Sequence, residues 1–151
     1  MGVRLDQDET WAFLAASHTG MLSTIRADGA PSVIPMWFVT IERAVYIRTL
    51  AGSPKAANVR RDPRVCFLVE SGKAWAELKA VVLHGEAAIT EDPDICAQVD
   101  ALFDAKYAGF RTPDAVPDAT KRHYAAPRAH IRIVERGRPL TWDNARLRST
   151  P

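Results

Sequence analysis

Between Met21 and Ile89 the chain runs as short β-branched and aromatic stretches, each closed by a turn signal, with room for one short helix among them. Such a chain folds as an antiparallel meander, because successive strands joined by tight turns pair with their neighbours. The spacing predicts about five strands in this stretch. The first, Met21 to Arg26, ends at Ala27-Asp28-Gly29, where Asp-Gly supplies the positive φ of a tight hairpin. The second, Pro31 to Ile41, contains Pro35, which cannot donate to a ladder and so marks an edge, a bulge or backbone turned toward something else. Ala44 to Thr49, Arg64 to Glu70 and Ala76 to Ile89 follow. The last of these is apolar on both faces over Ala80 to Leu83, as a central strand bending over a closed sheet requires.

Helices are predicted by their caps. Asp6 stands at capping-box spacing from Glu9, and Trp11, Leu14, Ala15 and His18 then share a face before Gly20 closes the turn. Ser53 is a good N-cap, Pro54 suits the first helical position, and Asp62 before Pro63 ends a short helix through Arg61. After Pro93, the spacing of Ile95, Val99, Leu102 and Phe103 predicts a helix from Asp94 to Tyr107. Arg111 to Pro127 reads as a loop with a short helix near Thr120 to Tyr124, and Ala129 to Glu135 as a last strand. About six strands with few helices imply a mainly β fold, a six-stranded barrel of Greek-key type with helices flanking or plugging it. At 151 residues it is expected to be a single domain, 1–151.

Composition narrows the function classes. Lys and Arg total 20 against 18 acids, and aromatic residues are 8%, so neither a basic groove with interleaved stacking rings nor an anionic membrane surface is demanded. Small-molecule chemistry, without nucleic acid or membrane, is the expectation. Cys66 and Cys96 have no Cys-x-x-Cys partner, and no zinc spacing of histidines occurs, so no disulfide framework and no metal site are expected. With no signal-like or membrane-length apolar run, a cytoplasmic setting is expected.

The common dinucleotide, phosphate-loop, hydrolase-elbow and zincin signatures are absent. His18, His84, His123 and His130 are scattered and read as structural or surface residues, so no catalytic residue is named. Two stretches carry chemistry. In Arg48 to Arg64, Thr49 and Ser53 supply hydroxyls, and Lys55, Arg60 and Arg61 supply cations, around a helix start whose free N–H groups favour an anion. That is the composition of a phosphate or carboxylate clamp, and equally of a solvated basic helix whose serine only caps it. In Pro31 to Phe38, the proline-interrupted backbone with Met36, Trp37 and Phe38 offers either a surface for a planar heterocycle or ordinary core.

The order of these pieces, with R-A-D-G-x-P after the first strand, P-x-W-F on the second, K-A-A-N-V-R-R-D-P-R after Thr49 and H-G-E-A on the long strand, resembles the FMN-binding split barrel superfamily. Within it, the chain resembles pyridoxamine 5'-phosphate oxidase-like proteins, the branch that includes deazaflavin (coenzyme F-420) dependent oxidoreductases. The resemblance covers Leu5 to Thr90 well and the C-terminal third loosely. It implies a homodimer with two cofactor sites at the subunit interface. By position, Thr49, Ser53 and Lys55, with Asn58 and Arg60, match the phosphate-contacting part of the motif. Val33, Pro35, Met36 and Trp37 match the strand lying against the isoalloxazine or deazaflavin ring. Arg48 replaces the small hydroxyl residue expected there, which points to a different anionic tail.

The implied function is an oxidoreductase using coenzyme F-420 or FMN to transfer hydride to a small conjugated or quinone-like substrate. The alternative is a non-catalytic flavin, F-420 or haem binding protein on the same barrel. A flavin-type ring carries hydride chemistry itself, so missing acid–base side chains are compatible with an enzyme. Coenzyme F-420 extends its phosphate into lactate and glutamates, a tail for which Arg48, Arg60, Arg61 and Lys73 are available cations.

Overall fold

The computed structural model describes residues 3–111 and 116–148. Eight strands form one antiparallel sheet in the order β2-β1-β5-β6-β7-β4-β3, with β8 paired to β6. They are β1 (Thr19–Ile25), β2 (Pro31–Trp37), β3 (Val39–Ile41), β4 (Ala44–Leu50), β5 (Arg64–Ser71), β6 (Lys79–Thr90), β7 (Arg128–Glu135) and β8 (Leu140–Asp143). The helices are α1 (Gln7–Ala16), α2 (Pro54–Arg61), α3 (Pro93–Lys106) and α4 (Asp118–Tyr124).

The expected mainly β architecture with flanking helices is present, but six strands become eight for two physical reasons. The stretch expected as one strand, Pro31 to Ile41, breaks at Phe38, so that β2 pairs β1 while β3 pairs β4 at the far end of the sheet. Pro35 does not cause the break: it lies inside the edge strand β2, opposite Met21, where a missing N–H is tolerated. The second added strand is β8, which joins Lys79 to Val82 on the side of β6 opposite β5, while the other end of β6 pairs β7. Bridging the sheet's two ends through one residue, Phe38, is what curls it.

That residue leaves the ladder buried, so its backbone needs other partners. Phe38 N–H donates to the Tyr107 hydroxyl at 2.9 Å, and its carbonyl accepts from Lys106 Nζ at 2.8 Å. Both side chains come from the end of α3. Burial holds the Lys106 amine down at about 8. Burial also pushes the Tyr107 phenol up to about 12, against the opposing effect of its Phe38 hydrogen bond.

Alternation along the strands makes two cores. Inside the curl, Leu22, Ile47, Phe67, Leu83 and Ile131 pack with Trp11 and Leu14 of α1. The α1 cap forms as its sequence requires, with reciprocal Asp6 and Glu9 bonds, although the helix ends at Ser17 and Gly20 belongs to β1. The second core lies between α3 and the β3–β4 edge, where Val39, Ala44 and Tyr46 meet Val99, Phe103 and Tyr107. No helix among the described residues is long and apolar enough to cross a membrane.

Candidate functional site

The end of β4 and the start of α2 build one wall of a cleft of about 1280 Å³. Ser53 is the N-cap of α2; its hydroxyl accepts from Ala56 N–H at a long 3.4 Å and lies 3.3 Å from the Thr49 hydroxyl. With Pro54 at the first position, the N–H of Lys55 is left to face outward groups, and the side chain of Lys55 lines the same cleft. Partial burial lowers the Lys55 pKa. An anion at this turn would meet two hydroxyls, the Lys55 N–H and the Lys55 ammonium.

The end of β2 builds the adjoining wall with Pro35, Met36 and Trp37. Trp37 is stacked on Tyr107, with planes 1° from parallel and centroids 4.4 Å apart, and His18 meets both rings edge-on. The indole is therefore held from behind by a ring that is itself anchored to Phe38. Thr49, Ser53, Lys55, Pro35, Met36, Trp37 and Arg48 are all brought to this one cleft.

Arg48 is not a free cation there. Its side chain is only 12% exposed, bonded to Asp100 at 3.0 Å, with Asp104 at 3.8 Å and the Phe103 ring under its guanidinium. His130, its cross-strand partner, donates from Nε2 to the same Asp100 oxygen at 2.9 Å. Burial alone would raise the Asp100 carboxyl, but the His130 and Arg48 hydrogen bonds outweigh it and hold the pKa below its usual value.

The remaining sequence candidates lie elsewhere. Asn58 is buried and donates to Thr24 Oγ1 at 3.0 Å, tying α2 to β1. Arg60 bonds the Ala51 carbonyl at 2.9 Å and, with Arg61, occupies the last turn of α2, where cations complement the helix dipole. Val33 is 64% exposed on β2, outside the cleft lining.

The far wall was not foreseen. It is made by Arg111, by Lys121, His123 and Tyr124 of α4, and by Arg128 at the start of β7. Lys121-Arg122-His123-Tyr124 is a cationic and aromatic run in the sequence, but its face toward α2 depends on Arg128 pairing opposite Leu50 and on the Ala51 N–H bond to Pro127. Tyr107 and Phe103, expected only as helix positions, turn out to support the platform. Among the described residues the cleft lining contains no carboxylate.

A curled antiparallel sheet of this kind with flanking helices is the split barrel. Residues 7–133 match the pyridoxamine 5'-phosphate oxidase family, and the chain belongs to it. It is 31% identical, over 73% of its length and 76% of the relative's, to an F420H2-dependent biliverdin reductase of Mycobacterium tuberculosis. Among solved structures it is similar to the conserved hypothetical protein Rv2991 of Mycobacterium tuberculosis, at 33% identity and a TM-score of 0.82, covering 99% of this chain and 92% of that one. The fold is shared by HutZ, the haem storage protein of Vibrio cholerae, at 17% identity and a TM-score of 0.70, over 94% and 96% of the two chains.

Proposed function

We propose that this protein is an oxidoreductase that holds coenzyme F-420, with FMN as the competing cofactor, and transfers hydride to a small conjugated or quinone-like substrate. One observation carries the reading: the hydroxyls and ammonium of the Ser53–Lys55 turn and the apolar Pro35-Met36-Trp37 run open into the same cleft, whose lining among the described residues has no carboxylate. Both cofactors have a tricyclic ring and a ribityl phosphate, and the donor set fits both ends. When bound, the ring supplies the hydride chemistry itself.

The chain's own residues bind and orient. Thr49, Ser53 and Lys55 hold the phosphate; Pro35, Met36 and Trp37 lie along the ring, with Val33 farther out on the same strand. Asn58 and Arg60 act behind this set by fixing α2 and its entering loop. Arg48, neutralised by Asp100, stiffens the rim between α3 and β4. The preference for F-420 rests on the F420H2-dependent relative.

The functional unit is a homodimer. Directly paired residues Pro35, Met21, Leu68, Val82 and Leu140 form an outward apolar row across β2, β1, β5, β6 and β8. The row begins at Pro35, which also lines the cleft, so a second copy seated on it would complete the site.

Titration of the purified protein with F-420 and with FMN, followed by absorbance and fluorescence, tests the reading. Micromolar binding of one cofactor is expected, weakened roughly tenfold or more by Lys55→Ala. Binding of neither overturns it. Tight binding with no hydride transfer to any acceptor would select the alternative, a carrier without turnover.

A further inference from the structure

The cleft holds more cations than the turn at α2 needs, and they are not equivalent. Arg48 and Arg111 are each paired with an acid of α3, Arg48 with Asp100 and Arg111 with Asp104. Lys121 and Arg128 also line the cleft, and among the described residues neither has a carboxylate partner. Lys121 and Arg128 are both exposed on the α4 side of the cleft, so an anion entering there gains from two cations.

Their position says whose anion it is. β2 takes one face of a ring lying on Met36 and Trp37, so an acceptor must approach the other face, toward the wall made by α4. That wall also carries Tyr124, an exposed aromatic whose ring meets His123 edge-on at 5.1 Å. At about 1280 Å³ the cleft is larger than the 300–1,000 Å³ that one small ligand usually occupies, leaving room for two molecules.

We infer that Lys121 and Arg128 form a second anion station, reserved for a carboxylate borne by the substrate, so that the preferred acceptor is a planar conjugated acid with Tyr124 against its π system. The inference deepens the proposed oxidoreductase reading and rests on it for the place of the ring. Lys55 serves the cofactor's phosphate; Lys121 and Arg128 serve the acceptor.

The test compares anthraquinone-2-carboxylate with its methyl ester, both bound to the cofactor-loaded protein and followed by fluorescence quenching. The acid should bind about tenfold more tightly than the ester at low salt, and the preference should shrink as salt is raised. The double variant Lys121→Gln, Arg128→Gln should bind acid and ester alike, while its affinities for the ester and for the cofactor stay at the wild-type values. Equal binding of acid and ester by the wild type, or binding of neither, overturns the inference. So does a variant that loses cofactor affinity, which would assign these cations to the cofactor's own tail. If the wild type binds no cofactor, the oxidoreductase reading fails first, and the acid–ester comparison on the protein alone still decides the station.

Discussion

Tyr107 and Trp37 lie face to face, 4.4 Å apart and 1° from parallel, while the Tyr107 hydroxyl holds the backbone of Phe38. One side chain thus supports the cleft's platform and closes the polar gap where the sheet changes strands. The two roles can be separated. Tyr107→Phe keeps the stack but leaves the buried Phe38 N–H without its acceptor, and should cost about 1–3 kcal/mol in denaturant unfolding with little loss of cofactor affinity. Tyr107→Leu removes the stack as well and should weaken cofactor binding beyond its effect on stability. Equal cofactor affinities in the two variants would refute the supporting role.

Gly20 faces Met36 across the β1–β2 ladder, and a Cβ built on it would sit 2.1 Å from Cζ of Phe67, a ring with no exposure. The ring fills the place of the missing side chain. Gly20→Ala should therefore destabilise the fold by about 1–3 kcal/mol through overpacking. Gly52→Ala, where nothing lies within 4 Å, is the control and should leave thermal stability near wild type.

Alkaline titration should read the α3 anchor. The Lys106 amine sits at about 8 in the folded protein against an ordinary 10.5, so between these values the unfolded chain binds more protons and stability rises with pH. Tyr107 acts in the opposite sense. Its phenol, at about 12 against 10.0, stays protonated after the unfolded chain has lost its proton, so stability falls above about pH 10. Wild type should gain stability relative to Lys106→Met from pH 8 to 10, measured by urea midpoints; a flat difference would contradict the burial of the amine.

The apolar row on the outer sheet face makes the proposed dimer testable. Met21 is 38% exposed and Leu140 50%, so a charge at Met21 should not disturb either core. Wild type should sediment as a dimer, and Met21→Glu should shift it toward monomer with unchanged circular dichroism and weaker cofactor binding. A monomeric wild type in the presence of saturating cofactor would remove the second copy from the site.

Local chemistry accounts for what the sequence determined by itself. The Asp6–Glu9 box, the Asp28-Gly29 turn with Gly29 at a φ of 83°, and the Ser53-Pro54 start of α2 are decided by residues within a few positions of each other, and all are present. The Ser53–Lys55 turn and the Met36-Trp37 run, which meet in one cleft, were legible as local signals for the same reason. What only the tertiary structure decided are the non-local pairings. Phe38 carries no breaking signal of its own; the strand parts there because Lys106 and Tyr107, far along the chain, satisfy its backbone. Asn58 and Arg60 read as binding residues until the fold gave them Thr24 and Ala51 as partners. The wall of α4 faces α2 only because Arg128 pairs opposite Leu50. A side chain's partners depend on which distant segment the curled sheet brings beside it, and short-range spacing along the chain does not encode that.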